Sequence, residues 1–174
     1  MKQVVYFYEG ETEKKLLEFL KNTQTIKSGK LKKFNLWTKS CKKLTRTINK
    51  GDVVIFVIDT DTMEAIDTFK ENIRLLKSYN ICLIVQHKNL EDELCFSCNK
   101  KDTTTLFTDF YDTSSAEEFK KKFIKESNLE QKLTNNAFDF KKLWSRADDF
   151  QEFLDQHHLL INLNCNTKPR TTKP

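Results

Sequence analysis

Val53-Val54-Ile55-Phe56-Val57-Ile58-Asp59-Thr60-Asp61-Thr62 sets six apolar residues against a pair of aspartates. An unbroken β-branched and aromatic run, without polar alternation, suits a strand covered on both faces, as in a parallel sheet. Residues 4–8, 34–37 and 81–85 share that character. Helical patterns lie between the runs. Leu16, Leu17 and Leu20 share a face of 12–21. Cys41, Leu44 and Ile48 do so in 40–50, and Ala65, Ile66, Phe69, Ile73 and Leu76 recur at helical spacing over 63–77. A further helix starts near Leu90. The order β-α-β-α-β-α-β predicts right-handed crossovers and a doubly wound α/β sheet.

The second half reads differently. Residues 116–126 form an amphipathic pattern with Phe119, Phe123 and Ile124 inward and Lys120, Lys121 and Lys122 largely outward. Residues 129–133 and 148–157 read as helices, and 105–110 as a short strand. The expected organisation is a core over 1–112, a helical extension packed on it over 113–165, and a polar tail that frays over 166–174. With 174 residues, 38% hydrophobic and 32% charged, the chain has the balance of one globular domain. No apolar run reaches the ~18–20 residues of a membrane helix, and the first residues run into a strand pattern with no signal-peptide core. Five cysteines, an odd number without framework spacing, point to a reducing cytosol.

The acidic residues cluster at strand ends. After Tyr6-Phe7-Tyr8 comes Glu9-Gly10-Glu11-Thr12-Glu13. Gly10 lets the chain turn, Thr12 can N-cap the next helix, and Glu13 would lie one turn from Glu9. The plainer reading is a strand stop with acids favoured by the helix dipole. Alternation puts Asp59 and Asp61 on one side of their strand. Asp61 and Glu64 would suit a capping pair, which leaves Asp59 unexplained, since a carboxylate after six buried residues is costly unless solvated, paired or metal-bound. If strands one and three are neighbours, a topological switch point gathers Glu9, Asp59 and Asp61. Like charges ~5 Å apart repel by about 3 kcal/mol at an effective dielectric of 20. An all-oxygen set of this kind suits Mg²⁺ or Mn²⁺.

Glu-Gly-x-Thr-Glu after strand one and Asp-x-Asp after strand three resemble the signature of the TOPRIM domain, shared by topoisomerases, primases and a set of nucleases. The string Glu9-Gly10-Glu11-Thr12-Glu13 is most similar to the nuclease branch, which includes OLD-type (overcoming lysogenization defect) and small phage-defence proteins. The resemblance covers residues 1–98. It implies a Rossmann-like three-layer α/β/α TOPRIM fold with a central four-stranded, mainly parallel sheet, here with a helical C-terminal extension. It implies Glu9, Asp59 and Asp61 as metal ligands holding Mg²⁺ or Mn²⁺, with Glu13 as the second acid of the nuclease branch. Glu91, and after it Asp92, match an acidic helix start found in some small members. The activity implied is metal-dependent nuclease action on DNA or RNA in the cytoplasm, since the chain is short for the strand-cleaving or priming modules of the other branches. A separate ATPase subunit and a role in phage defence are implied with it. His87 and Lys88 are candidate transition-state cations by position.

Two other readings compete. Asp59-Thr60-Asp61-Thr62 also looks like the Asp-x-Asp-x-Thr nucleophile motif of haloacid-dehalogenase-type phosphatases, but that motif normally sits on the first strand, and the later Gly-Asp-x-x-x-Asp motif is absent. A non-catalytic nucleic-acid-binding partner would use the acids structurally. From Asn22 to Gly51 there is no Asp or Glu, while Lys30, Lys32, Lys33, Lys39, Lys42, Lys43 and Arg46 all fall there. Such a one-sign field suits a phosphate backbone. Phe34 and Trp37, in the same span, read as core. Cys95 and Cys98 lack the second pair that a zinc site needs. With three glycines in all and no phosphate loop, nucleotide hydrolysis is not expected.

Overall fold

Four strands, β1 (Val4–Tyr8), β2 (Lys30–Lys33), β3 (Val53–Asp59) and β4 (Asn80–Gln86), form one all-parallel sheet in the order β2-β1-β3-β4. The computed structural model describes residues 2–61, 63, 65–163 and 165; the tail at 166–174 lies outside them, as does Glu64, the expected capping partner of Asp61. Alternate strand residues face opposite layers. Tyr6, Tyr8, Ile55, Val57 and Ile84 pack against α1 (Glu11–Asn22), α3 (Leu90–Ser97), α4 (Thr103–Tyr111), α5 (Ala116–Lys125) and α6 (Leu129–Asn135). Val5, Phe7, Val54, Phe56, Ile58, Leu83 and Val85 pack against α2 (Ile66–Leu76), α7 (Asp148–Gln156) and the segment between β2 and β3. The result is a three-layer α/β/α fold. The chain turns one way from β1 to β2 through α1 and the other way from β3 to β4 through α2. Crossovers of one hand that run in opposite directions fall on opposite faces.

The extension is divided between the layers. α5 and α6 continue the α1 side, and α7 seals the α2 side with Phe150 and Leu154 buried against Trp37 and Phe69. Ile124, expected inward, is 40% exposed, because Phe119 and Phe123 already fill the apolar face of α5.

The second strand lies earlier than the apolar run suggested. Gly29 touches β1 so closely that a Cβ would stand 2.6 Å from the Val4 carbonyl oxygen, and pairing begins at the next residue. The lysines of β2 guard an exposed sheet edge. Asn35 then ends the strand: its Oδ1 accepts from the backbone N–H of Trp37 (2.9 Å) and Thr38 (2.8 Å), which turns Leu36 and Trp37 into the core. The helix expected over 40–50 reduces to a 3₁₀ turn at Leu44–Arg46. Hydroxyls compete for the backbone there, with Thr45 donating to Lys42 O and Thr47 to Leu44 O. Buried Asn72 of α2 takes the Cys41 N–H and donates to Leu36 O and Lys39 O. That satisfies an irregular segment no helix could satisfy.

Residues 105–110, expected as a strand, belong to α4. Asp102 caps it by accepting from Thr105 N at 2.8 Å, and Leu106, Phe107 and Phe110 bury one face. β-branched threonines gave the strand signal, and tertiary packing overrode it. Cys82 and Cys165 are bonded, which corrects the reading of all five cysteines as reduced; Cys41, Cys95 and Cys98 are free and buried. The bond joins β4 to a terminal segment whose Asn162 bridges Cys82 in parallel and accepts the Leu83 N–H at 2.9 Å. Among the described residues no helix is long and apolar enough to cross a membrane.

Candidate functional site

β1 and β3 are neighbours, with Phe7 opposite Phe56, so the switch point falls between them. Glu9 follows β1 directly, and Asp59 ends β3. Both are therefore delivered to the carboxyl edge of the sheet. Glu9 Oε2 accepts from Asn35 Nδ2, while its Oε1 is buried with no hydrogen-bond partner. Asp59 Oδ1 is likewise buried and unpartnered. The Asp59 carbonyl accepts from Trp37 Nε1 at 2.8 Å. One loop, 34–38, thus touches both acids. Asn35 carried no motif, and only the turn that precedes a buried Leu36-Trp37 pair could have announced it.

Helix α1 starts at Glu11 with Gly10, not Thr12, as its N-cap. Thr12 is buried and donates to Glu13 Oε2 at 3.4 Å. Glu13 curls back over the helix start, where a Cβ on Gly10 would come within 2.6 Å of Glu13 Oε2. Glycine here leaves room for a carboxylate. Glu91, in the first turn of α3, is 6% exposed and lies 3.5 Å from Lys120 Nζ of α5. Lys120, expected merely to face outward, thus reaches the acids. Asp61 is exposed and its Oδ2 accepts from Asn89 Nδ2 at 3.3 Å.

Burial pushes the Asp59 carboxyl up to about 9, and Glu13, Glu9, Asp61 and Glu91 push it further in the same direction. Burial raises Glu9 to about 7; the nearby Asp59 backbone opposes this, and Glu13 and Asp61 add to it. Glu13 is raised by burial and by Glu91, against backbone N–H groups and Lys120. Glu9, Glu13, Asp59, Asp61 and Glu91 therefore feel one another as a single cluster. The β3–α2 and β4–α3 loops are tied beside it. Thr60 Oγ1 accepts from Lys88 N (2.8 Å) and donates to Gln86 O (3.1 Å), and the Lys88 carbonyl accepts from Thr60 N and Asp61 N.

Asp92 is turned elsewhere. Its Oδ2 meets His87 Nδ1 at 3.2 Å and Arg146 Nη2 at 2.7 Å. Arg146 also reaches Glu93 Oε1 at 3.1 Å, and Glu93, wholly buried, accepts the backbone N–H of His87 and Trp144. This assembly ties the extension to α3, and sequence reasoning missed Glu93 and Arg146. His87 is engaged within it, whereas Lys88 is exposed. Of the basic segment, Lys30, Lys33, Lys39, Lys42, Lys43 and Arg46 are exposed and Lys32 half-buried. Lys33 pairs with Glu11 and Lys42 with Glu71.

Among the described residues no three His, Cys, Asp or Glu side chains form a ready metal cage. The donor set is nonetheless all oxygen, with two buried oxygens lacking any partner. That fits a hard cation such as Mg²⁺, which binds carboxylate oxygens and keeps water and substrate phosphates among its ligands. Comparison with family models, with curated proteins and with solved structures finds no match for this chain.

Proposed function

We propose that the protein is a divalent-metal-dependent nuclease of the TOPRIM type, hydrolysing phosphodiester bonds of DNA or RNA with Mg²⁺ or Mn²⁺. The observation that supports it most is the pair of buried, partnerless oxygens, Glu9 Oε1 and Asp59 Oδ1, at the carboxyl ends of neighbouring parallel strands. Without a cation, burial and the neighbouring acids shift both carboxyls toward the protonated form; a divalent ion would replace the protons and remove the repulsion. Glu9, Asp59 and Asp61 would hold the metal, with Glu13 and Glu91 behind them. Bound metal would activate water and neutralise charge on the phosphate and leaving oxygen. Asn35 orients Glu9 through its amide, and Lys120 balances Glu91. Lys39, Lys43 and Arg46, exposed on one segment, would meet the phosphate backbone. A companion ATPase and an antiviral role rest on the sequence resemblance alone. Co-purification of an ATPase and altered phage growth on expression would support them.

The test is cleavage of plasmid, single-stranded DNA and tRNA with Mg²⁺ or Mn²⁺, for wild type, Asp59→Asn and Glu9→Gln. Both variants are expected to lose more than the ~10–100-fold that outer-shell substitutions cost at metal sites. Phosphomonoester turnover that needs Asp59 but not Glu9 would instead identify a phosphatase. Salt-sensitive binding without any cleavage would identify a non-catalytic partner.

A further inference from the structure

Beside the carboxylate cluster lies a concavity that the proposed chemistry does not use. Its cavity is about 240 Å³, lined by Thr60, His87, Lys88, Arg146, Phe150 and Phe153 among others. Pockets for drug-sized ligands run to about 300–1,000 Å³, so this one takes a single ring system. We propose that it receives one base of a nucleic-acid strand whose neighbouring phosphate lies at the carboxylates. The inference rests on the nuclease reading and adds to it where the strand runs.

Continuity is the first argument. Thr60 stands between Asp59 and Asp61 and also lines the cavity, and its hydroxyl and N–H are bonded to Lys88 on the opposite loop. Part of the wall of the cavity is therefore the same backbone that carries two of the acids. Composition is the second. Phe150 and Phe153 stack on each other with centroids 5.1 Å apart and planes 24° from parallel, and both meet Trp37 edge-on. Phe150 is buried and Phe153 only partly so; Phe153 also meets the His157 ring at 4.7 Å, so the aromatic wall of the cavity is fixed by its neighbours and presents the remaining exposed part of Phe153 to a base. Lys88, exposed on the rim, offers a cation to the backbone on either side of a stacked base, whereas Arg146 is paired with Asp92 and Glu93, and His87 with Asp92. Arg146 is held in place by Asp92 and Glu93 and lies over the Phe96 ring at 4.3 Å. Asp149, also on the rim, would repel a phosphate and suits instead an N–H donor on the base edge, such as N3–H of thymine or uracil. Lys88 has φ 61°, a left-handed conformation that a non-glycine residue adopts at some energetic cost. A lysine kept there puts a cation at the mouth of the cavity.

Two substitutions and one ligand series test this. Phe153→Leu keeps apolar volume and removes the ring face. Lys88→Gly removes the cation at a position where glycine relieves strain. Binding is read by fluorescence anisotropy of 5′-labelled pentathymidylate and pentauridylate in Ca²⁺, with an abasic residue placed at each position in turn. Stacking on an aromatic side chain is worth roughly five- to 150-fold in affinity per base. Phe153→Leu is expected to weaken the intact strand at least about fivefold, and one abasic strand should bind wild type and Phe153→Leu alike. Lys88→Gly should weaken binding of every strand without lowering stability. Wild-type binding with no dependence on abasic position overturns the base pocket while leaving the nuclease reading intact, and that series decides even if Phe153→Leu fails to fold. Absence of wild-type binding to either polymer also overturns the base pocket, whereas the nuclease reading stands or falls on cleavage of plasmid, single-stranded DNA and tRNA.

Discussion

Asp59 follows six apolar residues on a buried strand, and its carboxyl is pushed up to about 9, with Glu9 beside it at about 7. An unfolded chain releases those protons near pH 4. Between that value and pH 7–9 the folded, metal-free protein therefore holds more protons than the unfolded chain, and stability falls as pH rises. Urea denaturation in chelator should show a loss on the order of several kcal/mol from pH 5 to pH 8, since each tenfold change in proton affinity is worth about 1.4 kcal/mol. Asp59→Asn should flatten that slope and raise the metal-free midpoint at pH 8, while Mg²⁺ should raise the wild-type midpoint and leave the variant largely unmoved. A flat wild-type profile would mean that the carboxylates are solvated rather than buried. At this scale the sequence was informative where a charge broke an apolar run: Glu9, Asp59 and Asp61 come together as the switch point suggested, with Glu13 a turn away, while Glu91, expected only from the resemblance, joins them. It was silent on Asn35 and Lys120. Their roles depend on a turn and on a helix that approach from elsewhere in the chain, and neither side chain is unusual where it stands.

Elements were legible in proportion to their periodicity. β1, β3, β4 and the helices from α1 to α3 lie within a few residues of where hydrophobic spacing put them. The departures share a cause. β2 is built from lysines because an edge strand needs no apolar face, and α4 is rich in threonine because a cap and three buried rings or leucines outweigh propensity. The extension is joined to α3 by Arg146, whose guanidinium meets Asp92 and the wholly buried Glu93. Removing one partner of a buried pair costs about 3–5 kcal/mol. Arg146 is itself a quarter exposed, so Arg146→Met should destabilise by about 2–3 kcal/mol after allowance for solvent screening. Denaturant midpoints would measure this, and Glu93→Gln in the same background should recover much of the loss. A loss under about 0.5 kcal/mol, the ordinary range for a surface substitution, would show that the guanidinium is not needed to hold Glu93.

The whole molecule is a sheet with two differently protected edges. Lysines cover the β2 side, and residues around Asn162 lie along β4, fastened by the Cys82–Cys165 bond across 83 positions. Loop entropy for a closure of that size corresponds to about 4–5 kcal/mol. Dithiothreitol should therefore lower the unfolding midpoint of the wild type and have no effect on Cys82→Ser, with the difference bounded by that figure. Equal sensitivity of the two would remove the bond from the stability of the fold. Cysteine count alone could not foresee the pairing, since it depends on a terminal segment returning to the sheet. That return also sets an order of events during synthesis. β4 is complete at Gln86, but the segment that covers its outer backbone is made about 80 residues later, roughly 4–16 s at ordinary translation rates. Through that interval a nascent chain has all four strands but lacks the segment that covers β4. Neighbouring chains on the same message are then exposed to each other at the stage when strand exchange between them is easiest.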